Sequence, residues 1–204
     1  MSDQPSKSVL GWWFAASDAL PNGDGRNIVV GETLTVNPPV VLCERGLHAS
    51  RRLIDALSYA PGEILYRVRL GGTVIHGDNK MVATERTALW RLDATRALRL
   101  FCCDVAERAL KAERKAGREP HKDSWAAIAV TRRWIDGRAT DAERSAAGSA
   151  AGSAAESAAG SAAWSAAESA AWSAAESAAR SAAERLLLRR IREARSATRT
   201  EDTP

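Results

Sequence analysis

Between positions 8 and 100, short apolar runs alternate with clusters of turn-forming residues, and two stretches switch to helical spacing. Val9–Phe14 (VLGWWF) is apolar and aromatic and predicts a first strand. Pro21–Gly25 carries Asn-Gly and Asp-Gly pairs that tolerate positive φ, and predicts a turn. Asn27–Val30, ahead of Gly31, and Pro39–Cys43 predict two short strands. The alternation is clearest in Glu63–Leu70: Ile64, Tyr66, Val68 and Leu70 face one way, Arg67 and Arg69 the other. Gly71-Gly72 predicts a turn into TVIHGD, and Thr87–Leu92 predicts a last strand.

The first helical stretch is RRLIDALSYA, with Ser50 as its expected N-cap and Pro61-Gly62 as its stop. Leu53, Ala56, Leu57 and Ala60 follow helical spacing and are expected to face the sheet. The second begins after Asp93, a capping residue, with Leu98, Phe101, Cys102 and Val105 as its apolar stripe. A third helix is predicted after Pro120, ending at Gly137, with Trp125, Ile128, Ala129 and Ile135 on one face. Strands interrupted by two packed helices give an α+β class: a small mixed-sheet head domain, then further helices and a long Ala-rich C-terminal helix.

That last helix has its own pattern. Ser145 to Glu184 is ten uninterrupted copies of Ser-Ala-Ala-x, in which x is Gly, Glu, Trp or Arg. Half of these positions are Ala, the strongest helix former, which outweighs glycines costing about 1 kcal/mol each. A four-residue step advances about 400° around an α-helix, so x drifts about 40° per repeat and no fixed apolar stripe forms. A heptad coiled coil is thereby excluded. Three readings remain: a semi-rigid spacer, a docking or oligomerisation helix anchored by Trp164 and Trp172 with Glu184–Ile191 as an amphipathic end, or a flexible low-complexity tail. The predicted boundaries are a disordered start over 1–7, an α+β head over 8–105, a helical connector over 106–140, the tetrad helix with its basic end over 141–195, and a disordered tail over 196–204.

Composition narrows the function classes. The 204 residues carry 29 Lys and Arg against 25 Asp and Glu, a net charge of +4. No apolar run approaches the ~20 residues of a membrane span, and no basic-then-apolar leader opens the chain, so a cytoplasmic protein without a membrane partner is expected. Basic charge is concentrated only at the end, in Arg185, Arg189, Arg190, Arg192, Arg195 and Arg199. Those arginines either complement the helix dipole or contact a protein partner or nucleic acid, with Arg189 and Arg190 the candidates.

Catalytic motifs are sparse. No nucleophile elbow, phosphate-binding glycine loop or zinc-protease motif occurs. Cys43, His48, Cys102 and Cys103 have the wrong spacing for a metal site, since adjacent helical cysteines diverge by about 100°. No metal is expected, and the cysteines read as buried thiols.

One constellation remains. The stretch from Gly31 to Gly72 contains Gly46, His48, Ala49 and Ser50, then Ala56 and Tyr59, then the alternating strand. In that order it resembles the central part of the ADP-ribosyltransferase fold. The resemblance implies that His48, Ser50 and Tyr59 hold the nicotinamide end of NAD, and that Glu85 orients the ribose as the catalytic glutamate. The first strand lacks the His or Arg that such enzymes carry there. Across nearly the whole chain, the run GLHASRRLIDALSYAPG, then VRLGG and GDNKMVATERTALW, then a small-residue tetrad tail, is similar to uncharacterised proteins of phages, prophages and actinobacterial genomes. That resemblance implies a bacterial cytoplasmic setting. The expected function is a non-catalytic binding or assembly protein that needs no cofactor. Its head would recognise a partner or small ligand, and its Ala-rich helix would set spacing or self-association. NAD-dependent ADP-ribosyl transfer and nucleic-acid association through the arginine tail are the alternatives.

Overall fold

The computed structural model describes residues 8–21, 24–162 and 169–201. They fall into two units, residues 1–95 with 191–204, and residues 96–190. The architecture is α+β: a sheet followed by several helices.

The first unit is built on one sheet of five strands: β1 (Val9–Ala15), β2 (Thr33–Thr35), β3 (Leu47–Ala49), β4 (Ile64–His76) and β5 (Met81–Asp93), with a short helix α1 (Leu53–Leu57) between β3 and β4. The order is β1-β4-β5-β2, and β3 pairs separately with the start of β5. Every pairing between these strands is antiparallel. Just past β3, Ser50 exchanges two backbone hydrogen bonds with Trp12 of β1, at 2.7 and 2.9 Å, tying the β3 edge back to β1.

The alternation read in Glu63–Leu70 sets the core. Tyr66, Val68 and Leu70 are buried with Ala15, Leu47, Ala49, Met81, Ala83 and Ala88. Phe14, Leu65 and Leu92 stand in register on the opposite side and are buried too, so the sheet is covered on both faces. Ile191 is also buried, and Arg195 stacks on the Trp90 ring at 4.4 Å.

Four local expectations are corrected. Gly71-Gly72 does not reverse the chain: β4 continues to His76 through a register shift between Gly71 and Val74, with Gly72 at φ +63°. Glycine supplies a bulge here, and the reversal falls at Gly77–Lys80. Asn27–Val30 and Pro39–Cys43 form only isolated bridges, among them Val30 to Ala88 and Val41 to Arg45. Ser50 does not cap α1, because its backbone is committed to Trp12; Arg52 holds the cap position without a side-chain bond to the helix N-terminus, and the helix stops at Leu57. Tyr59 therefore lies beyond the helix.

The second unit is helical. α2 (Thr95–Lys115) starts where Asp93 Oδ1 accepts from the Thr95 amide at 2.9 Å, as its capping chemistry predicts. Its buried face is Ala97, Phe101, Cys103 and Asp104: of the expected stripe Phe101 is buried and Leu98 half-buried, whereas Cys102 and Val105 are exposed. The helix is turned because Asp104 receives three arginines: Arg132 of α3 (Lys122–Ile135), and Arg189 and Arg190 of α5 (Ser169–Glu201), at 2.8–3.0 Å. The N-terminus of α4 (Asp141–Ala162) is a reciprocal capping box. The Thr140 amide donates to Glu143 Oε2 at 2.7 Å, and the Glu143 amide donates to Thr140 Oγ1 at 3.2 Å.

The tetrads are helical in α4 and α5, and α5 continues to Glu201, past the end predicted at 195. Residues 1–7 and Trp164 lie outside the described residues, and so does the side chain of Trp172. No helix among the described residues is long and apolar enough to cross a membrane.

Candidate functional site

Two clefts open in the first unit. The larger, about 540 Å³, is lined by the loops before β2 and β3 and by β3 itself, with Trp13, Arg26, Val36, Arg45, Leu47 and Arg86 on its wall. The smaller, about 240 Å³, is lined by Trp12, Phe14, Cys43, Ser50, Tyr59 and Lys80 among others. Trp13, Glu44, Gly46 and His48 line both, so the clefts meet along that row. The larger volume falls within the ~300–1,000 Å³ range of small-molecule sites.

Gly46 makes this meeting point possible. Its φ is +129°, and a Cβ there would press into Val82 and come within 2.9 Å of Val40. Backbone approaches that close need glycine. It leads into β3, where His48 is half-buried with both ring nitrogens engaged. Nε2 accepts from the Cys43 amide at 3.1 Å, and Nδ1 lies 3.0 Å from the Gly46 carbonyl, to which it donates in the matching tautomer. Burial lowers the His48 pKa, with Lys80 and Arg86 adding repulsion, against the opposing bond to Gly46. The imidazole is neutral at pH 7 and serves as a loop clasp.

Arg86 is the unusual group. It is 3% exposed on β5, opposite Leu70 of β4. Its guanidinium lies over the Trp13 ring at 3.7 Å, and Nη1 donates to the His48 carbonyl at 2.8 Å. Nη2 is buried without a partner among the described residues. Burial lowers the Arg86 pKa to about 9. On the same side, burial and a hydrogen bond to Asp18 push the Tyr66 hydroxyl up to about 12. Asp18 is held low first by its bond from Arg91, at 2.6 Å, and then by Tyr66.

Of the residues singled out in the sequence, His48, Ser50 and Tyr59 are brought together on the smaller cleft. The Tyr59 hydroxyl donates to Asn79 at 3.0 Å, and Lys80 sits over its ring. Glu85 lines neither cleft. It is exposed, in register with Gly71 and Thr35, and alternation turns it away from Arg86. Arg189 and Arg190 hydrogen-bond Asp104 in the second unit. Cys43 and Cys102 are exposed and only Cys103 is buried, which corrects the expectation of three buried thiols. No group of three or more His, Cys, Asp or Glu among the described residues is arranged to hold a metal ion.

Trp13 and Arg86 carry no motif and were missed in the sequence. A signal existed: Arg86 stands two residues before Ala88, so alternation places a charge at an inward position.

The fold and its paired clefts define a small α+β domain with helical additions. Residues 24–100, from the cleft loop into the first turns of α2, match a domain of unknown function, DUF7666. No curated protein and no solved structure matches the chain.

Proposed function

We propose that the first unit is a non-catalytic module that recognises a small ligand, and that the Ala-rich helical part sets spacing or self-association. The observation that carries the first half is the meeting of two clefts along Trp13, Glu44, Gly46 and His48. The row is preorganised: His48 has both nitrogens satisfied and Gly46 is locked by its packing, which suits binding rather than proton transfer. The second half rests on helical tetrads in α4 and α5 that have no fixed apolar stripe, with Trp164 and Trp172 as the proposed contact points. Free thiols at Cys43, Cys102 and Cys103 suit a reducing, cytoplasmic setting.

Ligand-observed NMR of the full chain against neutral and charged fragments tests the binding role. Asn37→Trp provides the control, because this exposed residue lines the larger cleft and the indole fills it. Hits lost in that variant support the reading; no hits, or hits indifferent to the variant, refute it. Sedimentation of the full chain over a concentration series, with Trp172→Ala alongside, tests self-association.

A second reading, NAD binding at the smaller cleft, is favoured by His48, Ser50 and Tyr59 lining it together. Glu85 is outside that lining, so transfer is the part most exposed to test. Labelled NAD should bind at millimolar concentration, and any transfer of label to lysate proteins should vanish in Glu85→Gln. Absence of NAD binding ends this reading.

A further inference from the structure

We propose that the larger cleft is a binding site for an oxyanion, a carboxylate or phosphate carried on a small ligand, with Arg86 as its anchoring cation. The inference rests on the ligand-binding reading of the first unit and names the chemistry that the cleft selects.

A guanidinium has five N–H donors and no way to shed its charge cheaply. Buried arginines are therefore paired with carboxylates as a rule. Arg86 is 3% exposed, yet among the described residues no carboxylate pairs with it. Among the described residues its one hydrogen bond runs from Nη1 to the neutral His48 carbonyl, and Nη2 has none. Stacking on Trp13 supports one face of the guanidinium but satisfies no N–H in its plane.

The neighbouring cation shows the contrast. Arg26 lines the same cleft and is paired: Asp24 takes Nε and Nη2 at 2.7 and 2.8 Å, and the Thr35 carbonyl takes Nη1 at 2.8 Å. Asp24 is thus committed to Arg26. The remaining carboxylate on the wall, Glu44, is exposed and forms no ion pair with Arg86. Arg45 adds a further positive charge to the lining. Among the described residues, then, Arg86 has no counter-ion. An oxyanion supplies one, because the planar guanidinium fork meets two oxygens of a carboxylate or a phosphate in geometry as well as charge. Leu20, Val36 and Leu47 give the body of the ligand an apolar wall.

The test uses the ¹⁵N-labelled full chain, following the Arg86 Nε–Hε and Trp13 indole resonances. Inorganic phosphate and acetate are titrated at constant ionic strength, with chloride as the control. Saturable shifts of both resonances with phosphate, acetate or both support the proposal, and the stronger of the two identifies the class. Arg86→Lys, which keeps the charge and loses the planar fork, should weaken binding by about tenfold or more. Shifts that match chloride, or no shift, overturn the proposal; so does a long-lived water bound to Nη2, seen by water–protein NOE, that neither anion displaces. If neutral fragments still move the amides of Gly46 and His48 while both anions leave Arg86 still, the anion inference fails and the ligand-binding reading survives. If neither class moves them, both fail.

Discussion

Arg86 lies face to face with Trp13, its guanidinium carbon 3.7 Å from the ring centroid, while its Nη1 holds the carbonyl of His48 at 2.8 Å. One side chain thus joins β5 to β1 and to β3 at the row where the two clefts meet. The arrangement concentrates a cation where solvent is excluded, and the Arg86 pKa, lowered to about 9, reflects that cost. The folded value lies below the unfolded 12.5, so the folded chain binds the proton less well. Stability from this group is fully present only above the unfolded value and is lost as pH falls through about 9. At pH 7 the arginine is charged and the full cost is carried. Arg86→Met should therefore leave the urea midpoint unchanged or raise it, as at sites kept for binding rather than stability. A fall of more than about 1 kcal/mol on linear extrapolation would mark Arg86 as a structural strut instead.

His48 titrates below the ordinary histidine value of 6.5, chiefly because it is half-buried. The folded chain thus binds this proton less well than the unfolded chain. The contribution of His48 is present above about pH 6.5 and is lost as pH falls through the folded value. Imidazole resonances followed by NMR should give a midpoint under 6.5 for His48. Protonation removes the acceptor at Nε2, so the Cys43 amide should lose its hydrogen-exchange protection over the same pH range.

Asp104 is nearly buried and meets Arg132, Arg189 and Arg190. Burial alone would raise its carboxyl, but the hydrogen bonds from Arg190 and Arg132 prevail and hold it at about 2. Its stabilisation is present above the unfolded value of 3.8 and is lost as pH falls through about 2. Asp104→Asn should cost about 2 kcal/mol at pH 7, below the full value for a buried pair because Arg189 and Arg132 are partly solvated. The gap between variant and parent, measured by urea unfolding followed at 222 nm, should close between pH 4 and pH 2.

Gly148 and Gly152 sit inside α4 with open space around the position a Cβ would occupy. Replacing either with Ala should stabilise the helix by about 1 kcal/mol. Helical ellipticity during thermal unfolding should rise in Gly148→Ala and rise again in the double variant. A decrease would mean that these glycines admit a partner chain, and would favour the docking role over the spacer.

The sequence made the class and the core legible because strand parity survives in Tyr66, Val68 and Leu70, and because Asp93 and the tetrads obey local helix chemistry. Where long-range pairing competed with local propensity, the reading failed. Ser50 has cap chemistry but its backbone is taken by Trp12, and Gly71-Gly72 bends a continuous strand rather than ending it. The buried face of α2 was hidden for another reason. A carboxylate is a poor core residue until three arginines from distant positions reach it, and nothing local announces that. The clefts were half visible: His48, Ser50 and Tyr59 are near in sequence, whereas Trp13 and Arg86 meet only through strand pairing.

Ligand binding by the first unit centres on the shared row of the two clefts, and the amide and indole shift map of the full chain reads that row directly. With any fragment selected by ligand-observed screening, Trp13, Glu44, Gly46 and His48 should move together and saturate together. Shifts confined to the opposite side of the sheet around Glu85, with that row unmoved, would contradict it.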